Sequence, residues 1–503
     1  MLNHYLENYI QNKIELLNIL HLNKSITINE LFSLFPLSAS SINVLIDELN
    51  FCLAGLATIK RNRGHLSVSI CEDVQLPELY YSIYQDSNVL HCLKYMILND
   101  SNKSFSSFIE ERPIAKSTAY RIRKSCGSYL KCIWLDLKGN QVIGEEYRIR
   151  FLIALLHYKY GIECYDISGI DINFARSFIK DTNPVIDDVY LKTTVNEYGY
   201  FQYLLILSWK RKRYLDAPII SSQLKKLKEV FVYKELLEAV KRQLEPQLNI
   251  KFKQNDYDYL FLIYCATNNV LFADQWTEER INSLYKIVFS NKKYYDLLQR
   301  IEKKIGKEVA SSSALKTSLV YFAKKTILEL QCIIPDKNVY IYSKKSPLTK
   351  TLNQHITNIF YDWEKDHNIE YELDKMHVFF LTLQIELIIK QFLEPVTVLV
   401  LSELVSEQKI ISMYLERCFS EKRVTIKSIQ LDAENRDYLY SQKNSVIIIN
   451  RKFKYLIEKS KLSKNNNTII PVTVELNNKE LLHIHKAVLN YEDEMFLNFV
   501  NQI

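Results

Sequence analysis

The first 143 residues repeat one pattern twice: three helix-forming segments followed by a β-hairpin. In the first repeat, residues 1–72, apolar spacing predicts helices over 3–20, 28–35 and 38–53 and a hairpin over 56–70. In the second repeat, residues 73–143, it predicts helices over 88–99, 105–111 and 117–132 and a hairpin over 133–143. Three helices and a hairpin are the elements of a winged helix-turn-helix. The sequence therefore predicts two such domains in tandem.

The third helix of the second repeat lies in a basic segment, Arg112 to Lys131, which holds six basic residues and no acidic one. Ser117 is a suitable N-cap, because its hydroxyl can accept from the open amides of a first turn. One face is apolar, and Arg123 lies near it, where an intramolecular ion pair is expected. The opposite face suits a DNA major groove, and its candidate contacts are Lys116, Ser117, Thr118, Tyr120, Arg121 and Lys124. A solvated basic helix is the alternative, and the tandem repeat favours DNA.

The third helix of the first repeat is less basic. Ser38 is its expected cap, and Ser40, Ser41 and Asn43 are candidates for hydrogen bonds to bases or phosphates. Asp47 and Glu48 oppose the approach of phosphates from the far end of this helix. We therefore expect the hairpin to contribute most of this repeat's binding, through Lys60, Arg61 and Arg63.

The rest of the chain is predicted to be mainly helical, with an α/β domain at the end. Glycine and proline number 9 and 10 among 503 residues, which disfavours an architecture rich in tight turns. Helical spacing predicts two all-α bundles, over 144–285 and 286–393. From Pro395 onward, apolar strand runs alternate with helices, which predicts a small parallel α/β domain over 394–503.

Several classes of function are disfavoured by missing motifs. The nine cysteines form no CxxC pair, so we expect reduced thiols in a cytoplasmic protein and no metal site. There is no Gly-rich phosphate loop, HExxH or GxSxG, so we expect neither an enzyme nor a cofactor. The apolar stretch 377–393 is interrupted by polar residues, so no membrane span is expected. The net charge of +7 permits contact with nucleic acid.

Four segments carry a resemblance to a known family: GEEYRIR (144–150) with the following FLIALLHYKYGI, LLILSWKRKR (204–213), DYDYLFLIYCATNN (256–269) and QWT (275–277). They resemble the RofA-like branch of the Mga/AtxA family of bacterial transcription regulators, and the resemblance covers essentially the whole chain. It implies two N-terminal helix-turn-helix domains, two phosphotransferase-system regulation domains and a C-terminal domain similar to enzyme IIB. It also implies control of surface adhesin, pilus or other virulence genes.

The resemblance also implies how such a chain is regulated. Regulation domains of this type can be phosphorylated on histidine by the phosphocarrier protein of the phosphotransferase system, and the candidates here are His157, His355 and His377, with His367 as a further one. Ordinary core or surface positions explain all four better, so the sequence does not favour direct phosphorylation. Enzyme IIB uses a cysteine after its first strand, whereas Ser402 follows Leu401 here. We therefore expect a non-catalytic domain that forms a homo-oligomer, with a dimer as the simplest form.

The predicted function is a transcription regulator that binds promoter duplex DNA. An RNA-binding antiterminator and a component of the phosphotransferase system remain as alternatives. Antiterminators with related regulation domains carry a small β-rich RNA module at the N-terminus, whereas this N-terminus is helical. The missing cysteine after Leu401 argues against a phosphotransfer component.

Overall fold

A computed structural model describes most of the chain. The described residues are 2–502 apart from 24, 36, 100–103, 113, 193–197, 216–218, 220, 231, 268, 336–346, 370–372, 374, 431–433 and 457–464. The chain divides into two compact units. One consists of Met1–Asp296, Lys316–Lys344 and Asp362–Val378, and the other of Leu297–Leu315, Lys345–Tyr361 and Phe379–Ile503. This division is coarser than the five predicted domains, whose bounds stay a prediction.

The first repeat has the predicted helices and hairpin, and a short strand completes a three-stranded sheet. Its elements are α1 (Asn8–Leu22), β1 (Ile26–Thr27), α2 (Ile28–Leu34), α3 (Ala39–Cys52), β2 (Ala57–Asn62) and β3 (His65–Ile70). The strand order is β1-β3-β2, and the hairpin is antiparallel. Arg63 and Gly64 form its turn with φ angles of 47° and 81°. Two positive φ angles define a type I′ turn, whose twist matches that of the strands.

The second repeat contains the predicted third helix, α7, and its hairpin. Its elements are α4 (Leu76–Tyr84), α5 (Asn88–Leu98), α6 (Phe105–Glu111), α7 (Lys116–Cys132), β4 (Leu135–Lys138) and β5 (Gln141–Gly144). The helix α4 was not predicted. The predicted cap of α7 is wrong, because Ala115 occupies the N-cap position and no side chain caps the helix. Ser117 instead lies exposed in the first turn.

Residues 146–289 form a helical region around three central helices. Its helices are α8 (Glu146–Tyr160), α9 (Gly169–Thr182), α10 (Asp188–Lys192), α11 (Gly199–Lys210), α12 (Ser222–Val230), α13 (Tyr233–Ala239), α14 (Glu245–Leu248), α15 (Gln254–Ala266) and α16 (Glu278–Phe289), with a π-helical turn at Val240–Leu244. Nearly every residue of α8, α11 and α15 is buried. The fully buried Arg150 is neutralised by Glu146, at 3.0 Å. A buried cation needs such a partner to offset its lost hydration.

Five helices and an α/β domain complete the chain. The helices are α17 (Lys292–Ile305), α18 (Lys307–Ala310), α19 (Ser313–Thr326), α20 (Pro347–Asp366) and α21 (Lys375–Phe392). The α/β domain consists of β6 (Val396–Ser402), α22 (Val405–Cys418), β7 (Val424–Gln430), α23 (Glu434–Ser441), β8 (Val446–Asn450), β9 (Thr468–Val472) and α24 (Asn478–Gln502). Its four strands are parallel in the order β7-β6-β8-β9, which confirms the predicted parallel sheet. Among the described residues, no helix is both long and apolar enough to cross a bilayer.

Candidate nucleic-acid interface

The helix α7 has a packed side and an exposed cationic side. Ala119 and Cys126 are fully buried, and Ile122 is nearly so, as the apolar spacing predicts. The predicted contacts lie on the other side: Lys116, Ser117, Tyr120, Arg121 and Lys124 are exposed, and Thr118 is half-buried. A helix with this division can enter a major groove without exposing its core.

The exposed cations of α7 have no partners within the described part of the protein. Within the residues that the structure describes, no hydrogen bond or ion pair is made by the side chain of Lys116, Arg121 or Lys124. By contrast, Arg112 donates to the carbonyl of Gln85 at 3.4 Å. Unpaired surface cations are available to neutralise phosphates, whereas paired ones are not. Within the basic segment, Lys116, Arg121 and Lys124 are thus available to bind a ligand, whereas Arg112 makes a contact within the protein.

Arg123 connects α7 to the hairpin of its own repeat. Its guanidinium donates to the carbonyl of Gly139 at 2.7 Å and lies 5.8 Å from the ring of Phe105. The expected intramolecular ion pair is therefore wrong, because the partner is a backbone carbonyl of the hairpin turn. Gly139 has a φ of 63°, a left-handed backbone conformation that glycine adopts readily in a tight turn. Arg123 therefore ties the turn of the hairpin to α7.

The start of α3 is a cluster of serine hydroxyls. Ser38 is the N-cap, as predicted, and accepts from the amide of Ser41 at 3.2 Å. Its hydroxyl also lies 3.0 Å from that of Ser40 and 2.8 Å from that of Ser41. These three exposed side chains and the open amides of the first turn form a polar end that can contact phosphates.

The hairpin of the first repeat is joined to α3 by two side chains. Arg61 donates to the side-chain oxygen of Asn43 at 2.8 Å. Asn50 accepts from the amide of Ile59 at 2.7 Å and so fixes the base of the hairpin. Lys60, Arg61 and Arg63 are all exposed. The predicted contacts on helix and hairpin therefore form one continuous surface.

The two repeats are held together by contacts that begin in α1. The carboxylate of Glu7 accepts from the hydroxyl of Ser87 at 2.8 Å and from the amide of Val89 at 3.0 Å, so it caps α5. Lys13 lies 3.5 Å from both Glu48 and Asp86. These contacts join the start of α1 to α3 and to the start of α5, so they hold the two repeats against each other.

Two family models match this chain. One, described as the Mga helix-turn-helix domain, matches residues 72–157, which include α7 and its hairpin. The other, described as the M protein trans-acting positive regulator (MGA) PRD domain, matches residues 175–388. Together they span more than half of the sequence.

The chain belongs to the Mga family. It is accordingly a DNA-binding transcription regulator with a helix-turn-helix domain and a PRD regulation domain. A search of curated proteins finds no match. The RofA-like branch stays a prediction, because neither model distinguishes it.

The candidate phosphorylation histidines of this Mga-family chain differ in exposure. His157 and His377 are buried, whereas His355 is half-buried. The Nε2 atom of His157 accepts from the amide of Cys164 at 3.2 Å, and burial lowers the pKa of this ring. His377 packs its ring on Phe322 with centroids 4.3 Å apart. His367, the further candidate, lies 2.9 Å from Asp296 through its Nε2 atom.

The basic run 210–213 of this Mga-family chain is engaged by its own fold. Its cations make ion pairs and hydrogen bonds within the described part of the protein. Lys210 lies 2.8 Å from Asp171, and Arg211 is buried with its Nε atom 2.7 Å from Glu146. The side chain of Lys212 donates to the carbonyl of Lys251. Since these cations are largely committed, α7 and the hairpins remain the better candidates for contact with DNA.

Ser402, the last residue of β6, is the residue predicted to stand in place of a phosphotransfer cysteine. Ser402 is fully buried and donates its hydroxyl to Glu407 at 2.6 Å. Its carbonyl accepts from Gln408 at 3.0 Å. This serine therefore holds the loop to the start of α22 rather than presenting a free hydroxyl to solvent.

Proposed function

We propose that this chain binds promoter duplex DNA through two tandem winged helix-turn-helix domains and controls surface adhesin, pilus or other virulence genes. The helices α3 and α7 enter successive major-groove segments, and the two hairpins lie along the backbone as wings. The observation that carries this proposal is the row of exposed cations on α7, Lys116, Arg121 and Lys124, beside a hairpin fixed by Arg123.

Contacts in the first repeat support a secondary role for its helix. The wing supplies three exposed cations, whereas α3 supplies hydroxyl and amide groups and carries the exposed Asp47 and Glu48. Backbone contacts from the wing and DNA shape would then contribute more than base contacts at this half of the site. The fixed spacing of α3 and α7 makes one protomer read a longer site than a single domain can.

The two helical bundles transmit a signal, and the C-terminal domain similar to enzyme IIB mediates a homo-oligomer, a dimer in its simplest form. Apolar side chains exposed along and before α22 support self-association: Leu404, Val405, Ile410, Met413 and Tyr414. A dimer would place two copies of each recognition helix on one DNA site and raise affinity through effective concentration.

Among the candidate histidines, His355 is the best placed to accept a phosphoryl group from a phosphocarrier protein. Its side chain is half-buried on α20, whereas His157 and His377 are buried and the ring of His367 is engaged by Asp296. A phosphoryl group adds about −1.5 to −2 charges, which is enough to alter a helix contact. Phosphorylation with purified phosphocarrier and peptide mapping tests this assignment, and a His355→Ala variant that is labelled as strongly as wild type would refute it.

The function is tested by an electrophoretic mobility shift with the full-length protein. The probes are the gene's own upstream duplex, neighbouring adhesin promoters, an unrelated duplex and RNA of matched sequence, at roughly physiological salt. We expect preferential binding of a promoter duplex. Equal or tighter binding of the RNA would support the antiterminator alternative, and phosphoryl transfer from the phosphocarrier without DNA binding would support the phosphotransfer alternative.

A further inference from the structure

Two cysteine thiols meet at the carboxyl end of α7. The sulfur atoms of Cys132 and Cys332 are 3.7 Å apart, although the residues are 200 positions apart in the chain. A disulfide bond has an S–S length of roughly 2 Å. The two sulfurs are therefore in contact as thiols and need only a small approach to become bonded.

A neighbouring hydrogen bond holds these two backbone segments together independently of the sulfurs. Tyr129, one helical turn before Cys132, is fully buried and donates its hydroxyl to the carbonyl of Cys332 at 3.2 Å. Tyr200 likewise donates to the carbonyl of the next residue, Ile333, at 3.2 Å. The first bond holds this segment on α7 and the second holds it on α11, so the two thiols are kept as neighbours by the surrounding fold.

The exposure of the two thiols differs in a way that suits stepwise oxidation. Cys132 is half-buried, whereas Cys332 is 6% exposed, so Cys132 is the more accessible of the two residues to a small oxidant. A second thiol pair provides a contrast: Cys126 on α7 is hydrogen-bonded to Cys92 on α5, and both are fully buried. Burial raises the pKa of the Cys126 thiol, which disfavours its reactive thiolate form.

We propose that Cys132 and Cys332 are a redox pair that a hydroperoxide converts to an intramolecular disulfide. The Cys132 thiolate attacks one oxygen of the peroxide and becomes a sulfenic acid, while the O–O bond breaks and, with hydrogen peroxide, water leaves. The Cys332 thiol then attacks the sulfenic sulfur, the S–S bond forms and a second water leaves. Two thiols and one hydrogen peroxide thus give one disulfide and two waters, and a dithiol reductant reverses the reaction.

The disulfide would fasten the end of a candidate recognition helix to a segment that lies within the span of the PRD match. Because the bond closes a loop of 200 positions, it would restrict the unfolded chain strongly. The folded chain would change little, since Tyr129 already holds the same segments together. Oxidation would therefore convert an existing non-covalent contact into a covalent bond.

The test treats the reduced full-length protein with hydrogen peroxide, blocks remaining thiols with iodoacetamide and maps peptides by mass spectrometry. We expect a linked pair of peptides containing Cys132 and Cys332, a loss of two hydrogen atoms from the intact mass and full reversal by dithiothreitol. Both cysteines recovered as alkylated thiols, or linked to other partners, would overturn the proposal.

Single substitutions separate the proposed pair from general oxidation. In Cys332→Ser, we expect Cys132 to remain a sulfenic acid that dimedone traps, because no second thiol resolves it. The matched control is Cys71→Ser, which removes an exposed thiol and should leave the Cys132–Cys332 link intact. Circular dichroism checks that both variants are folded. These measurements need no DNA, so their outcome does not depend on whether the proposed function is correct.

Discussion

Arg61 in the hairpin of the first repeat donates a 2.8 Å hydrogen bond to the side-chain oxygen of Asn43 on α3. Both residues are exposed, and both were predicted from the sequence as separate DNA contacts. Their hydrogen bond joins α3 and the first hairpin into one surface in the protein without DNA. It leaves the amide group of Asn43 free to donate to a base or phosphate.

A double-mutant cycle tests whether this pair acts as one contact. We expect Asn43→Ala and Arg61→Ala each to weaken binding of the promoter duplex, and the double variant to lose less than their sum. The coupling should be about 0.5–3 kcal/mol, as for residues that share a hydrogen bond. Additive losses would mean that the two side chains separate when DNA binds.

Variants of the turn residues Arg63 and Gly64 test the effects of charge and of backbone geometry separately. Its φ of 47° is a conformation that Asn tolerates, so Arg63→Asn should keep the hairpin while removing one cation. We expect an unchanged Tm and a salt slope of DNA binding shallower by about one unit. Gly64→Ala is the counterpart, because φ is 81° there and a side chain costs roughly 1–2 kcal/mol. That variant should lose stability without losing charge.

Arg123 and Arg121 are two positions apart on α7 but have different roles. Arg123→Ala removes the 2.7 Å bond to Gly139, so we expect it to lower the free energy of unfolding by about 1–2 kcal/mol. Arg121→Ala removes an exposed cation and should leave unfolding nearly unchanged while weakening DNA binding. Denaturant unfolding and salt titrations on both variants distinguish these roles, and identical profiles would contradict the assignment.

The sequence predicted most helices closely, because their apolar faces repeat at helical spacing. The bounds predicted for the third helix of the second repeat, 117–132, agree closely with Lys116–Cys132 of α7. The helix α4 was missed although its start carries a signal: Gln75 and Glu78 form a capping box, in which the Gln75 amide donates to Glu78 at 3.2 Å. The helix α9 begins with a similar capping box, formed by Ser168 and Asp171.

The site was predicted less completely than the fold. The apolar residues of α7 mark its buried side, so the sequence alone predicts that the side chains of Arg121 and Lys124 are exposed. The bond between Arg61 and Asn43 joins residues 18 positions apart, and that of Arg123 to Gly139 joins residues 16 apart. Such tertiary pairs leave no periodic signal in a single sequence, so they appear only in the structure.

Asp171 should give the stability of this chain an acid dependence. Burial raises the pKa of this carboxyl, but hydrogen bonds from Lys210, Ser168 and Trp209 outweigh it and lower the pKa to about 2 from its ordinary 3.8. The unfolded chain therefore binds this proton at higher pH than the folded chain. The stabilisation is fully present above about pH 4 and is lost as the pH falls through 2.

Asp171→Asn is the variant that tests this dependence. It should reduce the free energy of unfolding at neutral pH by roughly 2 kcal/mol, because the charged hydrogen bonds are lost. The difference from wild type should shrink between pH 4 and pH 2. Urea unfolding across that range measures it, and a difference that stays constant with pH would show that the carboxylate charge is not the cause.

The most direct test of the account measures the salt dependence of promoter binding for a double variant, Arg121→Ala with Lys124→Ala. The matched control is Lys225→Ala with Lys226→Ala, which removes the same charge from exposed positions on α12. If both α7 cations meet phosphates, the slope of log K against log salt should become shallower by about two units. The control should keep the wild-type slope. An unchanged slope and affinity in the α7 variant, or an equal change in the control, would contradict the assignment of α7 as the DNA-binding helix.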